Sequence, residues 1–297
     1  VSFEITTAFV EQFKSAVDLK LQAGGSKIRP YVMEESVTGD TAWFEQIGAT
    51  EVQDVASRHG DSPLVSTPHD RRKCVLQDKE WGDMIDKLDR VRTLIDPTNP
   101  YVTNARMAFG RSLDSIILTA MNGTAYSGHT GATANTLATA NKVAINYVET
   151  GSAANSGLTV GKLRRAKAIM DDDEVPEDDG NRHIAVTATQ LHDLLQDPEV
   201  TSSDYNTVKA LVNGEINQYL GFNFHRISSG ILPASSTTRQ CLAWHRNGVK
   251  LGVGMDVTAR VAERADKRFS WYAYLCMSFG AVRLQEEYVV QISCDES

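Results

Sequence analysis

The sequence predicts an α+β chain, and three features carry that reading. A long helical pattern follows Asn99-Pro100, a polar span over 31–79 is punctuated by glycines and prolines, and the last part of the chain alternates in long strand-like runs. Taken in order, Thr6 or Thr7 can cap a first helix to about Leu21, with Phe9, Phe13, Ala16 and Val17 as its stripe and Gly24-Gly25 as its stop. From Tyr31 to Lys79, TAWFEQIGATEVQDV and DRRKCVLQDKEW read as two long strands flanking a tip near RHGDSPL. This span has too little apolar content to stand alone and should lie on another surface, such as a neighbouring copy.

DMIDKLDRVRTLIDP leads into the long helix, which Asn99 caps and Pro100 opens. Val102, Ala105, Phe109, Leu113, Ile116, Ile117 and Ala120 form its stripe, while Arg106, Arg111 and Asp114 are expected to face away. Asn122-Gly123 stops it. Residues 123–157 are rich in Gly, Ala, Thr, Ser and Asn and predict loop with short strands. A helix capped at Thr159 should point Val160, Leu163, Ala166 and Met170 inward and end in the acidic turn DDDEVPEDDG. HIAVTATQLHDLLQDPEV predicts a strand and a short helix. LVNGEINQYLGFNFHRISSG predicts a helix joined by Asn213-Gly214 to a strand bearing Phe222 and Phe224. The closing residues predict long strands that turn at Ala265-Asp266-Lys267.

Composition narrows the function classes. The 297 residues are 41% hydrophobic and 23% charged, enough to bury a core in one large domain or two subdomains. No apolar run of about 18 residues occurs, so no membrane span is predicted. The N-terminus lacks a basic n-region and does not read as a signal peptide. Cys74, Cys241, Cys276 and Cys294 are scattered, which suits reduced thiols better than a disulfide frame or zinc site. A net charge of −8 disfavours a direct grip on nucleic acid, since the densest basic run, Arg71-Arg72-Lys73, sits beside Asp70.

The search for chemistry returns no convincing site. GLTVGKL has three residues between its glycines and Leu163 where a phosphate loop needs Ser or Thr, so it reads as a loop and helix start. DDDEVPEDDG holds Pro176 and lacks calcium-loop spacing, so it reads as a solvated acidic turn. The seven histidines never fall at metal spacing, no nucleophile elbow accompanies them, and His225 reads as a hydrogen-bonded structural residue. Asn122-Gly123-Thr124 matches a glycosylation sequon but is expected to be a turn. An enzyme would have to assemble a site from dispersed residues such as Asp171, His183 and His225. No catalytic residue, metal or cofactor is expected.

The order of elements carries more than any motif. DKLDRVRTLIDPTNPYVTNARMAFGRSLDSIILTAM, LTVGKLRRAKAIMDDDEVPEDD, EVTSSDYNTVKALVNGEINQYLGFNFHRIS and WHRNGVKLGV occur in one line along the chain. In that order they resemble the major capsid proteins of tailed bacteriophages, which share the Hong Kong 97 fold. The resemblance implies an N-terminal arm over 1–30, an extended E-loop over 31–79 and a P domain with a spine helix over 80–157. It further implies an A domain over 158–254, a long P-domain hairpin over 255–285 and a returning A-domain strand over 286–297. The implied function is a structural shell protein that assembles as pentamers and hexamers around double-stranded DNA, with portal, scaffold and decoration proteins as partners and no membrane.

Some relatives cross-link their loops through Lys and Asn. Lys73 and Lys79 lie in the loop, but no matching catalytic environment is evident, so that chemistry is not carried over. Many relatives also carry a scaffolding segment removed by protease. The helical pattern near Val1 instead suggests a separate scaffold protein or none. Arg58, Asp61, Arg71, Arg72 and Lys73 are the candidates for intersubunit ion pairs, with a solvated face as the plainer reading of each. The alternative function is the shell of a bacterial encapsulating compartment or another ring- or tube-forming virion component, distinguished by its cargo.

Overall fold

A computed structural model describes residues 25–54, 64–85, 98–196 and 218–296. Within them run β1 (Met33–Ser36), β2 (Thr41–Ile47), β3 (His69–Val75), β4 (Gln77–Ile85), α1 (Thr98–Asn122), β5 (Ala125–Ser127), β6 (Thr133–Asn135) and β7 (Lys142–Val143). These are followed by α2 (Val160–Asp172), β8 (Arg182–Val186), α3 (Ala188–Gln196), β9 (Gln218–Tyr219), β10 (Phe222–Arg226), β11 (Ala234–Ser235), β12 (Thr238–His245), β13 (Val249–Arg264), β14 (Ser270–Arg283) and β15 (Val289–Asp295). The expected first helix, the tip near RHGDSPL, the segment after Ile85 and the helix before Gln218 lie outside the described residues.

The strands form three sheets. One has the order β1-β13-β14-β4, the second β7-β15-β12-β8-β10-β9 with β11 on β12, and the third β2-β3-β5-β6. The predicted C-terminal hairpin is present: β13 and β14 pair antiparallel from Val249↔Arg283 to Arg264↔Ser270, around a 3-10 turn at Ala265–Lys267. Irregularities near Met255 bend β13 after β1 leaves it, so its outer half projects with little cover. On β14, Ala273, Leu275, Met277 and Phe279 are buried at alternate positions, and α1 lies against this strand.

α1 follows its predicted stripe: Ala105, Phe109, Leu113, Ile116 and Ile117 are buried. It opens at Thr98, one residue before the expected cap, which places Asn99 and Pro100 in its first turn. Asp114 corrects the expectation that it faces away. Its carboxylate is buried and accepts from Ser26 Oγ at 2.5 Å, Lys27 N at 3.0 Å and Ile28 N at 3.2 Å. A polar residue on an apolar helix face can be buried when three donors meet it. Gly110 lies one turn earlier, where an added Cβ would sit 2.2 Å from the Gly25 carbonyl carbon.

DRRKCVLQDKEW is not one strand. It divides at Leu76 into β3 and β4, which belong to different sheets. Leu76 N donates to Asp40 O at 3.0 Å at that crossing. The β2–β3 ribbon has its own small core of Val37, Phe44, Cys74, Ala125 and Val282. Thr159 caps α2 as expected, accepting from Lys162 N at 3.3 Å. The larger sheet and both long helices share the main core, with Trp244, Phe222 and Ile292 fully buried. The turn before β10 falls at Leu220-Gly221, both at positive φ, the geometry that suits a tight two-residue hairpin.

Candidate assembly surfaces

The β2–β3 ribbon leads into a polar arm whose two sides meet again at its base, where Gly48 N donates to Pro68 O at 2.9 Å. Beyond that bond, Val52 is 98% exposed and Leu64 97% exposed. Ile47 adds apolar surface beside that bond, and Val75 does so at the other end of the ribbon, opposite Thr41. Apolar side chains bared on both described sides of the ribbon's outer end are costly in water.

The base of the arm is fixed by side chains from distant parts of the chain. Arg71 stacks its guanidinium 4.2 Å from the Trp43 ring and donates to the His129 carbonyl. Asp70 Oδ1 accepts from Arg71 N at 2.8 Å and Gly128 N at 3.1 Å. Glu45, His69 and His129 complete the rim of an open cleft of about 290 Å³ there. Lys73 and Trp43 close around Gly131, whose positive φ also favours glycine. Arg72 is turned inward. Its Nε donates to Leu284 O at 3.0 Å, and its Nη2 lies 3.5 Å from Glu286. Arg283 approaches the same carboxylate at 2.7 Å and donates to the carbonyls of Met121, Gly123 and Asn135. Glu286 thus stands between β3 and the end of β14, and Arg283 joins β14 to the end of α1.

Of the five residues expected at intersubunit contacts, Arg58 and Asp61 lie outside the described residues. Arg71 and Lys73 sit on the partly exposed arm base, and Arg72 is 8% exposed with partners in its own subunit. Sequence reasoning missed Arg283 and Glu286. The available signal was a basic residue closing an apolar strand run, with acids three and four positions on.

The dispersed set Asp171, His183 and His225 divides. His225 Nε2 and His183 Nδ1 are 3.1 Å apart, whereas Asp171 pairs with buried Arg182 at 2.6 Å. Burial takes both imidazoles down to about 4, with His225 adding to the effect on His183. No nucleophile joins the pair among the described contacts. No group of three or more His, Cys, Asp or Glu suited to a metal occurs among the described residues. The lysine of GLTVGKL is an internal tie: Lys162 Nζ meets the carbonyls of Ile145, Ser156, Gly157 and Ser293 at 2.6 to 3.0 Å. The acidic turn is partly tied down, through Asp171 to Arg182, Glu177 to Lys167 and Asp179 to His245 at 2.9 Å. No helix of the described residues is long and apolar enough to cross a membrane.

Comparison with known proteins adds the following. A family model described as phage capsid protein matches residues 5–296. Among solved structures, the capsid of cyanophage P-SCSP1u is 15% identical, with a TM-score of 0.72 over 98% of this chain and 94% of its own. Mycobacterium phage Che8 gives 18% identity and a TM-score of 0.67 over 96% and 97%. The capsid of Ralstonia phage GP4 gives 11% identity and a TM-score of 0.70 over 97% and 95%. None of the curated proteins compared matches the chain.

Proposed function

Because this chain belongs to the phage capsid protein family and has the Hong Kong 97-like fold, we propose that it closes an icosahedral shell of pentamers and hexamers around double-stranded DNA. It is a major capsid protein, and its place is the virion shell. The observation that carries the finer reading is the pair of described stretches 48–54 and 64–68 leading out from the ribbon, which bare Val52 and Leu64 almost completely. A single subunit has no use for such an arm. A repeating, heterologous contact with the next copy covers it and generates a ring.

In this reading residues 31–79 form the E-loop, α1 is the spine of the P domain, and the sheet strands β8 to β12 with β15 belong to the A domain. Arg58, Asp61, Arg71 and Lys73 meet neighbouring copies. Arg72 sets the angle of the arm from inside the subunit, because its guanidinium is already engaged by Leu284 and Glu286. The subunit works by packing and not by turnover, is made in the host bacterial cytoplasm, and meets portal, scaffold and decoration proteins in the virion. The net charge of −8 suits a container wall that holds DNA without gripping it.

Negative-stain electron microscopy of the purified chain tests the proposal. Closed shells or rings are expected. A monodisperse monomer at micromolar concentration, with the 31–79 segment resistant to protease, contradicts it.

A further inference from the structure

Residues 26–34 cross three parts of the molecule. Asp114 on α1 holds Ser26 to Ile28, and Lys27 Nζ donates to Arg226 O at 2.8 Å on β10. Arg29 pairs with Glu34 and with Asp256 of β13. Trp244 Nε1 of β12 donates to Tyr31 O at 3.0 Å. The Tyr31 ring lies on the two histidines, 4.1 Å from His225 and 4.7 Å from His183, while Trp244 stands 5.7 Å from His183 and 5.9 Å from His225.

We propose that the His183–His225 pair is an acid-responsive latch, which fastens residues 26–34 to the larger sheet when neutral and lets them go when protonated. The nitrogens that face each other at 3.1 Å can hold one proton between them. His183 Nε2 is buried and has no hydrogen-bond partner. The arrangement that fits has His183 Nδ1–H donating to His225 Nε2, with a bare lone pair at His183 Nε2. A proton added to His183 then creates a buried N–H with no acceptor. A proton added to His225 Nε2 sets two N–H groups head to head. Either event forces the rings apart, and the Tyr31 ring rests on both.

The surrounding charges push the same way. His245 at the end of β12 and Arg246 just after it oppose a positive charge on His183, and His225 does so from the neighbouring strand. Asp179 favours one, but it already accepts from Asn181 and His245. On the latched segment Lys27 and Arg29 are cationic, and Glu34 and Asp256 are occupied by Arg29. The free imidazole titrates near 6.5 and the held pair near 4, so the latch is fully set above about pH 6.5 and weakens as pH falls toward 4.

Hydrogen exchange of the full chain, read on peptides covering 26–34 and corrected for intrinsic rates, tests this between pH 7 and pH 4. Protection of 26–34 is expected to fall about tenfold or more across that range, ahead of peptides from β12 and β15. His183→Phe and His225→Gln should each flatten the response. Asp114→Asn should keep it, although Asp114 also titrates in acid and holds the same segment. A pH-independent segment, or a response that vanishes in Asp114→Asn and survives in both histidine variants, overturns the proposal. Should the variants fail to fold, histidine NMR titration of the unaltered protein decides: midpoints below about 5 for both rings support the latch, and midpoints near 6.5 overturn it.

Discussion

At the scale of single residues, the informative positions are charges placed where the fold excludes water. The burial of Lys162 pulls its pKa below the usual lysine value, yet four carbonyl oxygens surround its Nζ. Replacing it with Met keeps most of the volume and removes every donor, so the carbonyls lose a charge-assisted partner. Lys162→Met is expected to lower unfolding stability by about 3 kcal/mol, measured by the urea midpoint. Asp179 is exposed and behaves differently. Burial alone would raise its pKa, but the Asn181 donors and His245 outweigh that and take it down to about 2. Its contribution is therefore present above the normal aspartate value and is lost as pH falls from about 4 to 2. Asp179→Asn should flatten the stability profile in that window and leave it unchanged at neutral pH apart from a constant offset, as followed by denaturant titration.

Elements meet at a few close approaches, and these decide how the arm is carried. Gly110 sits in the middle of α1, where alanine should favour the helix by about 1 kcal/mol. Because a Cβ there would collide with the backbone of Gly25 and Ser26, Gly110→Ala is instead expected to lower the thermal midpoint and free residues 25–28. A rise in the midpoint would show that residues 25–28 do not need that seat. Glu286 stands between Arg72 of β3 and Arg283 of β14. Glu286→Gln leaves two buried guanidinium groups without their countercharge, an expected loss of about 3 kcal/mol in the denaturant midpoint. In shells, the same change should reduce closure by loosening the angle of the arm, which sedimentation would show.

For the whole molecule, the proposed contact of the arm predicts that folding and assembly can be separated. The ribbon's small core ends at Phe44 and Cys74, short of Gly48 and Pro68, whose backbones already meet. Replacing Ala49 to Thr67 by a short glycine turn, which keeps the Gly48–Pro68 contact, should therefore leave far-UV circular dichroism and the thermal transition of the subunit close to unaltered. The same protein should fail to form closed particles by electron microscopy. Shells of normal size from this variant would show that the contact lies elsewhere, on the projecting outer half of β13 for instance.

The long helix, the capped α2, the C-terminal hairpin and the polarity of the arm were legible in the sequence, because periodicity, caps and turn residues are local properties of adjacent positions. The division of DRRKCVLQDKEW between two sheets was not, since nothing in an alternating run says which partner each half will find. Asp114, Lys162, Arg72 with Arg283 and Glu286, and the pairing of His183 with His225 likewise had to wait for the fold. Each is a polar group whose partners lie far away in sequence or are backbone atoms, and its burial is tolerated only because the tertiary structure brings those partners within hydrogen-bonding reach.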